Sequence, residues 1–168
     1  MAVDAAEFRS ALGCFASGVT VITAVDDQGA ERGMTASAFT SVSLNPPLVL
    51  VCVQRDNGMD RLLQRVGAFA VNMLGQDQVG LSNRFAGYGD APADRLDDLV
   101  VDRAPHSGAA WLPGALALLD CTIHQVVESG DHRVYIGQVM ATRSPADRAD
   151  LQPLLYVGGA YRAAGPRL

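Results

Sequence analysis

The chain has 168 residues, 49% hydrophobic and 18% charged, with a formal net charge of −5. That length and apolar content predict one domain over residues 1–168, able to bury most of its apolar surface. An acidic chain without a basic stripe is not built for nucleic acid, and no apolar run reaches the roughly 20 residues of a membrane span.

All 13 cationic residues are Arg, so no Lys is present to hold a phosphate or form a Schiff base. Cys14, Cys52 and Cys121 are odd in number and far apart, with no C-x-x-C pair. That predicts neither a metal site nor a disulfide framework, only three small hydrophobes. Asp4 and Glu7 stand where a basic leader would be, so no secretory signal is expected and a reducing cytoplasm is the natural location.

The first predicted element is a helix from Asp4 to Ser17. Phe8, Ala11, Leu12 and Phe15 form one apolar stripe, Asp4 is the expected N-cap and Gly18 the stop. Val19 to Val25 alternates as a strand and turns at Asp26-Asp27-Gln28-Gly29. The return strand runs through Arg32-Gly33-Met34 into Thr35, Ala36, Ser37, Ala38, Thr40, Ser41 and Ser43, a run of small and hydroxyl residues. Small side chains let a flat ligand reach the backbone, and hydroxyls can bond its edge. The same composition suits a plain strand and turn. Behind the Pro46-Pro47 break, Leu48 to Val53 is continuously apolar and reads as a strand buried on both faces.

Gln54 to Asp60 is a polar turn opening a helix that runs to about Val66, with Met59, Leu62, Leu63 and Val66 inward. Such a turn can offer N–H groups to an anion, or simply cap the helix. Ala68 to Leu74 is a strand, and Asp77 to Phe85 a helix capped near Gln76 and closing on Asn83 to Gly87. Tyr88 to Gly114 has little pattern and reads as a flap beside the active site, with His106 solvated in it. Ala115 to Glu128 and His132 to Arg143 form a long hairpin across Ser129-Gly130-Asp131. Leu154 to Val157 is a last short strand, after which Gly158 to Tyr161 turns toward the surface. About seven strands, mostly in hairpins, with two or three short helices predict a mainly β protein: a split or closed barrel with Greek-key-like connections and peripheral helices. No G-x-G-x-x-G, Ser-His-Asp or H-E-x-x-H motif is present.

The run Gly33 to Cys52 resembles the signature of the flavin reductase-like family, whose fold is the FMN-binding split barrel. Val19 to Thr23, Phe69 to Leu74, Arg84 to Gly87, Gly130-Asp131-His132 and Tyr156 to Tyr161 follow in the family's order, so the likeness covers about Phe8 to Tyr161. The resemblance implies an NAD(P)H:flavin oxidoreductase. It would reduce FMN (or FAD) with NADH or NADPH and pass the reduced flavin to a separate flavin-dependent monooxygenase. Many strand positions are apolar on both faces, more than one small barrel can bury, which predicts a homodimer; the resemblance implies the same, with flavin at the subunit boundary. Two other kinds of protein share the fold: a flavoprotein that keeps FMN and acts directly on a small substrate, and a non-catalytic flavin- or haem-binding barrel.

Carried onto this chain, the resemblance places the cofactor at Thr35, Ala36, Ser37, Ala38, Ser41, Val42, Cys52, Gln54, Asn57, Arg84, Phe85, Ala86 and Gly87. The phosphate would lie near Asn57 and Arg84. The family usually has Ser or Thr hydroxyls where this sequence has Asn57-Gly58-Met59. His132 would lie on the nicotinamide side and hold that ring by orientation, since hydride transfer needs no acid/base pair. No metal is expected.

Overall fold

The computed structural model describes residues 3–88, 94–146 and 151–166. Asp4 caps the first helix as expected: its Oδ1 accepts the N–H groups of Ala6 at 2.8 Å and Glu7 at 2.9 Å. The helix, α1 (Ala5–Gly13), ends four residues before Ser17. Cys14 and Phe15 donate to the carbonyls of Ala11 and Leu12, which tightens the last turn, and the Gly13 carbonyl accepts Gly158 N–H from the far end of the chain. Ser17–Gly18 then form a short strand, β1, paired with β11 (Leu154–Val157). The apolar stripe of α1 is left largely uncovered by the described residues: Phe8, Leu12 and Phe15 are 55%, 52% and 72% exposed.

The body of the molecule is one seven-stranded sheet. It contains β2 (Thr20–Val25), β3 (Glu31–Ala36), β4 (Phe39–Leu44), β5 (Pro47–Gln54), β6 (Ala68–Met73), β9 (Ala117–Ser129) and β10 (His132–Arg143). Their order is β3-β2-β6-β9-β10-β5-β4, with antiparallel pairing at every rung. The two edge strands, β3 and β4, are consecutive in sequence and joined only by Ser37 and Ala38. The sheet therefore coils until its edges meet at that bend without pairing, which is the split of the barrel. The second sheet, β1-β11-β12, adds β12 (Ala160–Ala163), so the chain does not simply turn outward after Val157.

Ile22, Val51, Val53, Phe69, Val71 and Tyr135 fill the interior, closed at one end by Met59, Leu62 and Leu63 of α2 (Gly58–Val66). Gly137 on β10 is required by this packing, because a Cβ there would stand 2.6 Å from the Phe69 ring and 3.1 Å from Cys121 Cβ. β5 is buried on one face only. Val49, Val51 and Val53 point inward, while Leu48, Leu50 and Cys52 remain half-exposed. An unbroken apolar run does not distinguish a strand covered twice within its own chain from one whose second face is left over.

The run read as a helix from Asp77 divides into a 3₁₀ turn (Gln76–Gln78) and α3 (Val79–Phe85). The segment expected to be a flap is packed against the body at several described positions. Leu96, Ala104, Ala109, Ala110, Trp111 and Leu112 are buried, and β7 (Asp102–Arg103) pairs with β8 (Ala110–Trp111). Its anchors are polar groups on other elements. Asn72 of β6 accepts Leu112 N–H at 2.7 Å and donates to the Val21 carbonyl at 3.1 Å. The buried Asp120 carboxylate accepts the N–H of His106 at 2.6 Å and of Ser107 at 3.2 Å, while the exposed His106 side chain stays outside. Residues 89–93 of the expected flap lie outside the described residues.

Candidate functional site

The bend at the split is fixed from three directions. Thr20 Oγ1 donates to the Ala36 carbonyl at 2.8 Å, Phe39 N–H to the Ser37 carbonyl at 3.0 Å, and Cys52 N–H to the Ala38 carbonyl at 3.0 Å. Ser37 and Ala38 are exposed, Thr35 half-buried and Ala36 buried. Small side chains on a bend pinned to its neighbours leave a rigid ledge with no bulky group over it.

Along β5 the ledge continues to Cys52 and Gln54. Gln54 is the register partner of His132, and Cys52 that of Val134. Next comes the turn into α2, where Asn57 Oδ1 accepts Asp60 N–H at 2.7 Å and its amide approaches Met34 Sδ at 3.8 Å. His132 is half-exposed at the hairpin tip, its Nδ1 2.8 Å from Asp131 Oδ1, a contact that holds the Asp131 carboxyl below the usual range. Burial pushes the Cys52 thiol up, so it stays protonated and serves as a small apolar wall. Ala38, Cys52, Gln54, Asn57 and His132 thus lie along one end of the sheet. Ser41 and Val42 do not join them: Ser41 pairs with Val49, further along β4, and the register slips at Val42.

On the other side of the bend, Val19, Thr35, Ser37, Ser82, Ala86, Tyr88, Tyr156 and Tyr161 line a cleft of about 190 Å³. Thr35 Oγ1 donates to the Ser82 carbonyl at 2.7 Å, and Ser82 Oγ lies 2.9 Å from Tyr161 Oη, which donates to Asn83 Oδ1 at 3.0 Å. Tyr156 meets Tyr161 edge to face at 5.5 Å. Sequence reading left these two tyrosines out of the site. The signal was there: Gly158 and Gly159, both at positive φ, form a two-residue hairpin loop that sets Tyr156 opposite Tyr161. A larger cleft of about 550 Å³, walled by Phe39, Met73, Leu119 and Leu154, shares only Val19 with this group.

The segment Arg84 to Gly87 serves several ends. Phe85 is buried under Gly33, where a Cβ would stand 2.3 Å from its ring. Arg84 forms a bidentate pair with Asp98, at 2.9 and 2.5 Å, and donates to the Arg95 carbonyl at 2.6 Å. Its terminal nitrogens are therefore engaged, and Asp98 raises the guanidinium's pKa further. Ala86 and Gly87 are exposed and border the cleft side. Arg32 is one of the cations beside the α2 turn; it pairs with Asp94 and leans over Gly58, where a Cβ would lie 3.0 Å from Arg32 Nη1. Sequence reading passed over Arg32, because nothing local to β3 shows what faces it across the fold.

A flat, hydrogen-bonding ring system suits this arrangement. The ledge is rigid and small, hydroxyls and tyrosine rings stand on one side, and a helix N-terminus and an arginine on the other. Among the described residues no group of three or more His, Cys, Asp or Glu side chains is gathered to hold a metal.

Split barrel and ledge together define a protein of the flavin-binding kind, and comparison with known proteins places the chain within it. Residues 12–165 match the model of the flavin reductase like domain. An NADH-dependent FAD reductase of Streptomyces globisporus is 41% identical over 165 residues, covering 97% of this chain and 87% of that one. The reductase component of a Rhodococcus opacus 4-nitrophenol 4-monooxygenase/4-nitrocatechol 2-monooxygenase is 37% identical, covering 95% and 80%. The NADH:FAD oxidoreductase of Streptomyces globisporus C-1027, solved with NAD and FAD fragments, superposes with a TM-score of 0.86 at 36% identity, covering 97% and 94%. The chain belongs to the flavin reductase-like family, and its mainly β split barrel is the fold of these neighbours.

Proposed function

We propose that the Ser37–Ala38 ledge receives the flavin ring system, with the phosphate end at the first turn of α2 and the nicotinamide on the His132 side. The chain is an NAD(P)H-dependent flavin reductase of the kind that serves two-component monooxygenases. Relatives named as NADH-dependent and FAD-reducing support NADH as the reductant and FAD as an acceptor here, with FMN as the other candidate acceptor. The observation that carries the placement is the juxtaposition of an exposed small-residue bend, the Gln54–His132 rung and the α2 turn at the split.

Flavin supplies the redox chemistry, taking two electrons from the nicotinamide. The protein's residues bind and orient. Ser37 and the backbone of the bend border the ring's polar edge, and Cys52 and Ala86 keep the walls low. Asn57, Gly58 and Arg32 supply the positive end for phosphate in place of hydroxyls. Arg84 contributes by fixing the segment that carries Asp98. His132 holds the nicotinamide by hydrogen bonding.

The functional unit is a homodimer. Leu48, Leu50 and Cys52 of β5 and their partners Gln138, Ile136 and Val134 of β10 share the outward face of the sheet, and Val42 and Leu44 of β4 are 47% and 91% exposed beside it. An apolar sheet face of this kind supports an isologous contact. A cytoplasmic location fits a reductant drawn from the nicotinamide pool. No described helix is long and apolar enough to cross a membrane. The defining experiment is NADH oxidation with free FMN, FAD or riboflavin, followed at the nicotinamide absorbance band. Turnover that depends on added flavin supports the assignment, and none with any of the three overturns it.

A further inference from the structure

Asp60 is completely buried, yet its carboxylate is heavily bonded. Oδ1 accepts the Tyr135 hydroxyl at 2.5 Å; Oδ2 accepts Asp56 N–H at 2.8 Å, Gln64 Nε2 at 3.2 Å and the Arg133 guanidinium. Burial pushes the carboxyl up, but the Tyr135, Asp56 and Arg133 contacts outweigh it and hold it below the usual range. Asp56, next to the Asn57 cap, is the sole non-glycine residue at positive φ (62°) among the described residues. A side chain at that φ is strained unless its surroundings fix it, and Asp60 does so by accepting the Asp56 N–H. Arg133 carries the tie across to β10, directly after His132, and a second bond runs alongside: Arg55 N–H donates to the Asp131 carbonyl at 2.9 Å.

We infer that Asp60 is a positioning residue, whose buried carboxylate, bridging Asp56 and Arg133, fixes the Gln54–Asn57 turn against the His132 hairpin so that the turn meets the flavin phosphate. The inference rests on the phosphate placement proposed above. An uncharged barrel core would close this end without any carboxylate. A carboxylate bonded at once to the strained turn and to the hairpin arginine sets the separation between the two.

The test compares affinities for FMN and riboflavin, which differ only by the phosphate, in wild type, Asp60→Asn and Arg133→Gln. Arg133 lies at the rim and its replacement keeps the Asp56–Asp60 bond, so it stands in if Asp60→Asn does not fold. The expected result is a roughly ten-fold loss of FMN affinity in each folded variant, with riboflavin affinity within about two-fold of wild type. Parallel loss of both ligands in the folded variants would show a purely structural role and overturn the inference, as would unchanged FMN affinity. Equal wild-type affinity for FMN and riboflavin would instead overturn the phosphate placement, and the inference with it, and is seen before any substitution is made.

Discussion

Ser37 stands exposed on a bend that its neighbours already fix, so a large side chain there fills the ledge without disturbing a buried contact. Ser37→Trp is expected to abolish flavin binding while leaving the thermal midpoint within a few degrees. Flavin fluorescence titration beside a melting curve decides it, and unchanged affinity in a folded variant would refute the placement. His132 is half-exposed at a hairpin tip. Losing one hydrogen bond from it to the nicotinamide costs about 0.5–1.5 kcal/mol, rising to about 1.5–3 for a charged partner. His132→Ala should therefore bind flavin normally and lose roughly ten-fold in kcat/KM for NADH; steady-state kinetics at fixed flavin give the answer. Asp60 adds a pH effect. Its folded pKa is depressed, so its contribution to stability is present above the unfolded carboxylate value, 3.8, and is lost as pH falls through the lower folded value. Urea midpoints measured on either side of about pH 4 should fall with acid more steeply in wild type than in Asp60→Asn. Ser37, Asn57 and His132 can be proposed from the sequence because chemistry and chain position coincide there. Arg32, Ser82 and Tyr161 cannot, because only the meeting of strands and helices distant in sequence brings them beside the bend.

Among the elements, the strands and helices with clear periodicity, β2, α2, β6, β9 and β10, fall close to where the sequence puts them. The misses share one cause, a tertiary partner outweighing local pattern. Thr40, Ser41 and Ser43 of β4 suit a strand or a turn equally, and pairing with β5 makes the segment a strand. The 96–112 segment lacks periodicity because its small residues are placed by Asn72 and Asp120 instead of by a repeating face. Asn72→Ala should thus leave the buried Leu112 N–H unsatisfied, at about 1–3 kcal/mol. In a chain of this size each kcal/mol lowers Tm by about 2–4 °C. Gly137→Ala is a complementary case: its methyl would enter the Phe69 ring, and overpacking costs about 1–3 kcal/mol. Calorimetry on the two variants checks both.

At the scale of the whole molecule, the described residues leave apolar surface uncovered: the stripe of α1, the outward face of β5 and β10, and Leu44. We expect a dimer at micromolar concentration by sedimentation, and Leu50→Arg to shift it toward monomer with loss of activity. A fully active wild-type monomer would refute the shared-site reading. The family's order of motifs makes the split barrel legible in the sequence, and strands apolar on both faces signal a surplus beyond one small barrel; that the surplus sits on the outer face of β5 is not legible, since a sequence does not say whether a strand's second face is met by its own chain.

Trp111 is the only tryptophan in the chain. It lies buried on β8, with the Arg143 guanidinium 4.7 Å from its ring centroid and its indole N–H donating to the Leu119 carbonyl at 3.4 Å. The protein therefore carries a built-in optical probe with a single environment. Its emission will be short in wavelength when β8 is docked and shift to the red when that docking is lost. Because β8 is held by Asn72 and not by the ledge, the signal follows detachment of the 96–112 segment, and comparing it with flavin release tells whether that segment and the cofactor site come apart together or in succession.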